Sequence, residues 1–221
     1  MIGTTDIPVD SPEAAVIDNA EIAYLCDAVN LYFETQIGPA DVVSTWSGVR
    51  PLYNDGASAA QEVTRDYVLE LDDAGPPMLS VFGGKITTAR HLAEEAIARL
   101  GKAMRRDVRP ATRDAILPGG DIGSLPAFIA EVRARYPFLG DARAARMARA
   151  YGSLLHEMLD GRSGLGDLFG DDLGQVEVDW LVHKEWARTA DDIVWRRTKL
   201  GLTIDDAARA RLAAYVEEIG K

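Results

Sequence analysis

The chain has 221 residues, of which 47% are hydrophobic and 27% charged, and its formal net charge is −11. That composition belongs to a globular protein and excludes intrinsic disorder. The acidic balance argues against nucleic acid or an anionic membrane as default partner, since both need a basic face, yet it leaves room for a local arginine pocket around a small anion.

No apolar run approaches the ~18 residues that a membrane-spanning helix needs, and no leader pattern follows Met1. Cys26 is the only cysteine, which excludes a disulfide framework or thiolate metal cluster and fits a reducing cytoplasm. His91, His156 and His183 show neither HxxxH nor HExxH spacing, so they read as surface or capping residues and no metal site is expected.

In chain order, Ile2–Val9 reads as a strand ending near Pro8. The abrupt start suggests a piece of a larger protein. "DNAEIAYLCDAVNLYFE" predicts a helix with Asp18 as N-cap and Glu21 three residues on, the capping-box pattern, and an apolar stripe through Ile22, Leu25 and Val29. Gly38-Pro39 stops it. "DVVSTWSGVRPL" reads as a second strand and "YNDGASAAQEV" as loop. A β-hairpin follows, with strands near Arg65–Leu71 and Met78–Phe82, and then a helical period from Ile86 to about Met104.

A polar connection rich in glycine and proline leads to a region without a convincing strand. Helices are expected in "SLPAFIAEVRARYP" with Ser124 as cap, in "DARAARMARAYGSLLHEML" with a break at Gly152, in "QVEVDWLVHKEWAR", in "TADDIVWRRTKLG", and in a last helix capped by Thr203. "GRSGLGDLFGDDLG" reads as loop. Trp180, Trp186 and Trp195 read as core anchors, with a docking surface as the other reading. Arg196 and Arg197 suit either a bridge to Asp191 and Asp192 or a contact with the first domain. The fold class expected is α+β: a partial sheet with helices over 1–108, then an all-helical domain over 109–221.

The chemistry concentrates in "VFGGKITTAR", residues 81–90. A strand running through two glycines into a helix start leaves bare backbone N–H groups, with Lys85 and two threonine hydroxyls beside them. The segment is neither a Walker motif nor a dinucleotide fingerprint, and taken alone it is better explained as a plain strand–helix turn. Arg50 and Arg65 stand at predicted strand ends, where a guanidinium either recognises a phosphate or carboxylate, or makes an ordinary salt bridge such as Arg65 with Asp66.

The ordered set "IGTTD", "SGVRPL", "TRDY" and "LSVFGGKITT", followed by "RARYPFLG", "ARAYGS" and "LVHKEWARTADDIVWRRTKLG", resembles the C-terminal part of the FAD-dependent respiratory glycerol-3-phosphate dehydrogenases over nearly the whole chain. The resemblance implies a partial FAD- and substrate-binding domain of the amino-acid-oxidase type followed by a helical domain. It implies that Gly83, Gly84, Lys85, Ile86 and Thr87 contact the flavin and that Arg50, Arg65 and Lys85 hold glycerol 3-phosphate. Thr5 and Asp6 lie near that pocket, although Asp6 equally suits a structural cap. The implied reaction oxidises sn-glycerol 3-phosphate to dihydroxyacetone phosphate by hydride transfer to FAD, with electrons passing on to a quinone. A homo-oligomer, and a cytoplasmic location with peripheral attachment at the inner membrane face, are further expectations.

There are departures. Ala89 stands where the family commonly has tyrosine, and no G-x-G-x-x-G follows a strand anywhere; "GRSGLG" at 161–166 lies between helices. The catalytic base is likewise expected upstream of this chain, so the chain by itself is expected to be inactive, with weak or no FAD affinity. Two other readings fit the residues: an amino-acid-oxidase-like flavoenzyme acting on a carboxylate substrate, and a helical interaction module without catalysis.

Overall fold

The computed structural model describes residues 1–51, 53 and 66–220. The chain divides into two compact units, Met1–Ala115 and Ile116–Lys221. The fold is α+β, with its described strands in the first unit and its largest helical assembly in the second.

In the first unit, helix α1 (Asn19–Asn30) starts as its sequence requires. The Asp18 carboxylate accepts from Glu21 N at 2.8 Å, and the Glu21 carboxylate accepts from Asp18 N at 3.0 Å. Strands β1 (Tyr67–Asp72) and β2 (Met78–Gly83) form an antiparallel hairpin in which Tyr67 faces Gly83 and Asp72 faces Met78. The predicted strands at 2–9 and 41–52 do not form in the described residues: both segments lack regular structure beyond a short turn at Pro39–Asp41. Alternating apolar residues become a strand only beside a partner, and the one described sheet is β1–β2. The loop expected over 53–63 lies, apart from Tyr53, outside the described residues.

Helix α2 (Ala89–Ala103) packs on the hairpin through polar staples. The Tyr67 hydroxyl donates to Glu95 at 2.8 Å, and Arg99 reaches both Glu95 at 2.7 Å and the Leu69 carbonyl at 2.9 Å. Glu94 accepts from the Thr112 hydroxyl and N–H and pairs with Arg90 at 3.1 Å.

The second unit contains the main core. Helices α3 (Leu125–Arg135), α4 (Asp141–Tyr151), α5 (Leu154–Leu159), α6 (Gln175–His183) and α7 (Asp206–Ile219) enclose Val132, Met147, Leu155, Leu181, Ile193 and Leu212, all essentially without solvent exposure. The break between α4 and α5 falls at Gly152, whose φ of 53° favours glycine; a Cβ there would stand 1.9 Å from the Gly119 carbonyl. Residues Asp192–Arg197 form a π-helical turn, with Thr198 N donating to Ile193 O at 3.0 Å. Thr203 does not cap α7. Asp205 does, accepting from Ala208 N at 2.7 Å, because its carboxylate stands directly before the first turn.

Trp180 is buried and Trp195 packs on the core, its ring filling the space beside Gly201. Trp186 is 79% exposed with φ 58°, so it is not a core anchor. The chain reverses there: Ala187 N returns to Leu181 O at 2.9 Å, and Arg197 clamps the Glu185 carbonyl at 2.7 and 3.1 Å. Arg196 pairs with Asp192 at 3.1 Å, while Asp191 pairs with Arg209 at 2.5 Å.

Glu177 is fully buried at the centre of this unit. It accepts both terminal nitrogens of Arg146 at 2.7 Å and the Tyr151 hydroxyl at 2.7 Å. Arg146 and Arg143 also hold Asp172, at 2.5 and 3.0 Å. Burial pushes the Tyr151 phenol up, and the Glu177 charge adds to this. For Arg146, burial alone would lower the pKa, but hydrogen bonding and charge from Glu177, with Asp172, raise it instead.

Two predictions follow from these contacts. Glu177→Ala leaves Arg146 with Asp172 as its remaining carboxylate partner and takes the acceptor from the Tyr151 hydroxyl; a cost of about 3 kcal/mol is expected, read as a lowered thermal midpoint of the helical unit. In the first unit, the Tyr67 hydrogen bond, then Arg99, holds Glu95 below the usual carboxylate range, and the Thr112 hydroxyl does the same for Glu94. Groups with depressed folded values stabilise fully above the ordinary carboxylate value near 4.5 and lose that contribution as pH falls through the folded values. Protection of the amides in α2 and β1, taken relative to their intrinsic exchange at each pH, is therefore expected to fall on acidification below that value, and less so in Glu95→Gln.

Candidate functional site: a glycine corner beside Arg50

β2 ends at Gly83, and the chain turns through Gly84 and Lys85 into a short 3-10 turn, Ile86–Thr88, and then α2. Gly83 has φ 68° and Gly84 φ 90°, a backbone region that a side chain disfavours. Space is short as well. A Cβ on Gly83 would lie 3.1 Å from Tyr53 N and 3.5 Å from Pro51 O, and one on Gly84 would lie 3.1 Å from the Tyr67 Cβ. The missing side chains thus let the segment just after Arg50 lie against the end of the sheet, where the Tyr53 ring meets Phe82 at 6.1 Å between centroids. Arg50 and the Gly83–Lys85 corner are thereby neighbours in the fold. Arg65 lies outside the described residues; the carbonyl of the next residue, Asp66, stands 3.4 Å from the Gly83 Cβ position.

The corner opens outward. Lys85, Ile86 and Thr87 are exposed, Ile86 by 90%. Thr88 closes the turn, donating to Lys85 O from its N–H at 3.0 Å and its hydroxyl at 2.9 Å. The N–H groups of Ile86 and Thr87 stand at the open start of the turn and donate to no acceptor among the described residues. Two such donors, an ammonium and a free-standing hydroxyl, with no carboxylate in residues 81–90, suit the carbonyl-rich edge of a flavin that gains negative charge on reduction. The residues present fit that group.

Arg50 does not stand alone. Its Nη1 donates to Asp6 Oδ2 at 2.5 Å, across 44 residues, so Asp6 is a partner of Arg50 rather than a helix cap. The neighbouring Thr5 hydroxyl donates to the Glu21 carboxylate at the start of α1. Spacing in the sequence gives no sign of the Asp6–Arg50 pair; only the alternative of a salt bridge for each arginine pointed toward it. Asp6 also borders an open hollow of about 500 Å³ whose lining includes Asp18 and Glu21. Three carboxylates and no cation make that hollow a poor seat for a phosphate. Among the described residues, no group of three histidine, cysteine or acidic side chains could hold a metal ion.

Residues 1–90 match the family model for FAD dependent oxidoreductases, and residues 110–221 match that for the C-terminal domain of alpha-glycerophosphate oxidase. The chain belongs to the FAD-dependent oxidoreductases that carry this alpha-glycerophosphate oxidase C-terminal domain.

Among curated proteins it is 42% identical to the aerobic glycerol-3-phosphate dehydrogenase of Escherichia coli (strain K12), over 99% of this chain and 45% of that protein. It is 43% identical to the D-erythritol 1-phosphate dehydrogenase of Brucella abortus (strain 2308), over 98% of this chain and 44% of that protein. It is 30% identical to the mitochondrial glycerol-3-phosphate dehydrogenase of Homo sapiens, over all of this chain and 32% of that protein. The chain thus spans less than half the length of these relatives.

Gly83→Ala introduces a side chain at positive φ and presses it on Tyr53 N. A cost of about 1–2 kcal/mol is expected from the backbone conformation alone, detected as faster amide exchange in β2 with the helical unit unchanged.

Proposed function

We propose that this chain forms the substrate-holding and flavin-edge portion, together with the helical C-terminal domain, of an enzyme that oxidises sn-glycerol 3-phosphate to dihydroxyacetone phosphate. The observation that carries this reading is the packing of the Arg50 segment against the glycine corner, in a chain whose relatives are named for polyol-phosphate dehydrogenases. FAD, when bound, supplies the hydride acceptor, and electrons then pass to a quinone.

The chain's own residues bind and orient. Arg50 and Arg65 would hold the phosphate, and Lys85 would contribute its charge to the phosphate and to the flavin. Gly83 and Gly84 set the turn and admit the chain after Arg50 against the end of β2, and the N–H groups of Ile86 and Thr87 favour negative charge at the flavin edge. Fixing a phosphate that does not itself react still accelerates the reaction, because it holds C2 and its hydrogen in a productive orientation. The base that takes the C2 hydroxyl proton comes from outside this chain, so the chain alone is inactive. The enzyme works on the cytoplasmic side, attached peripherally to the membrane; no helix among the described residues is long and apolar enough to cross one.

The Brucella relative, of near-equal identity, supports a second reading in which the polyol phosphate is the longer erythritol 1-phosphate. Comparing kcat/KM on the two substrates decides between them: a clear preference for the four-carbon substrate would overturn the first. Arg50→Ala in the complete flavin-loaded enzyme is expected to raise KM with kcat less affected, at a cost of about 1.5–3 kcal/mol for one lost charged contact. An unchanged KM would remove Arg50 from the phosphate site.

A further inference from the structure

We propose that Asp6 is a positioning residue for Arg50: it holds one nitrogen of the guanidinium so that the remaining edge is presented to the substrate phosphate. The proposal rests on the reading of Arg50 given above. Only Nη1 of Arg50 is engaged among the described residues, by Asp6 Oδ2 at 2.5 Å. The Nε and Nη2 groups lie side by side on the other edge of the plane, the pair that grips a phosphate or carboxylate through two parallel hydrogen bonds. A guanidinium on a flexible stem loses much less conformational freedom on binding if it is already held.

Asp6 is itself held. Thr5, one residue before it, donates to the Glu21 carboxylate, and Glu21 is fixed by its reciprocal hydrogen bonds with Asp18 at the N-terminus of α1. On its other side, Arg50 precedes Pro51, whose carbonyl lies against the Gly83 corner. A chain of contacts therefore runs from the α1 cap through residues 5 and 6 to Arg50 and on to the end of β2.

The carboxylate also repels an incoming phosphate, and this works against the proposal. The side chains of Arg50 and Asp6 are 49% and 38% exposed, so water and salt screen that repulsion. Orientation is the larger effect, and the two effects predict opposite signs on removing Asp6.

The test measures KM, kcat and thermal midpoint of the flavin-loaded enzyme carrying this chain, with glycerol 3-phosphate, for Asp6→Ala, Asp6→Asn, Arg50→Ala and the double variant Asp6→Ala/Arg50→Ala. Asp6→Ala is expected to raise KM about tenfold while kcat stays within about twofold. Asp6→Asn keeps an acceptor for Nη1 and is expected to remain within about threefold of the parent KM. In the Arg50→Ala background, removing Asp6 is expected to raise KM by much less than it does with Arg50 present, since the positioning acts through Arg50.

An unchanged or lowered KM in Asp6→Ala overturns the proposal, as does an effect that persists in full without Arg50, or a loss of thermal midpoint with no change in KM. If Arg50→Ala itself leaves KM untouched, the phosphate-site reading fails first and this proposal falls with it. If Arg50→Ala raises KM and Asp6→Ala does not, only the positioning role is lost.

Discussion

The site in the first unit depends on a contact between backbones. Where Gly83 ends β2, the chain near Pro51 and Tyr53 approaches so closely that a methyl group would intrude. Two stretches about thirty residues apart can meet there because one of them carries nothing. The same glycines take positive φ, which turns the chain sharply enough to begin a helix within a few residues. One choice of residue thus sets the bend, admits the Arg50 segment, and leaves N–H groups facing out at the bend.

The helical unit is organised differently, around a buried charge. Glu177 lies on α6, with Arg146 and Tyr151 on α4, so their hydrogen bonds tie two helices at a fixed rotation about their axes. Asp172, in the loop leading into α6, extends the network to Arg143 and so fixes the loop as well. Such a network contributes less net free energy than apolar packing of the same volume, but it tolerates few alternative arrangements. The large apolar cluster around it supplies the bulk of the stability.

Local features were legible in the sequence. The α1 capping box, the β1–β2 hairpin and the interruption at Gly152 all follow from residues within a few positions of each other. Features that depend on distant partners were not. Residues 2–9 and 41–52 carry strand-like alternation, but alternation does not say whether a neighbouring strand exists. Asp6 and Arg50 are 44 residues apart, and a lone aspartate carries no mark of which arginine it will meet. Glu177 reads as one more polar position on a helix until Arg146 and Tyr151 are seen against it. Trp186 misled for a related reason: aromatic character suggests burial, yet the reversal after α6 turns it outward. At the glycine corner the sequence left two explanations open, a plain turn and a seat for a cofactor, and the tight turn with an exposed outer side is a geometry that both share.

Cys26 and Leu69 are the only buried hydrophobic side chains described in Met1–Ala115, whereas the other unit encloses more than twenty. Among its described residues, hydrogen bonds and ion pairs join α2 to β1 and to the chain near Thr112. Heat capacity on unfolding rises with the apolar area newly exposed to water and falls with the polar area. Calorimetry would therefore find the two halves of this chain unlike in kind, with the Met1–Ala115 half contributing a small heat-capacity increment and a stability that varies little with temperature, and the helical half contributing most of the curvature.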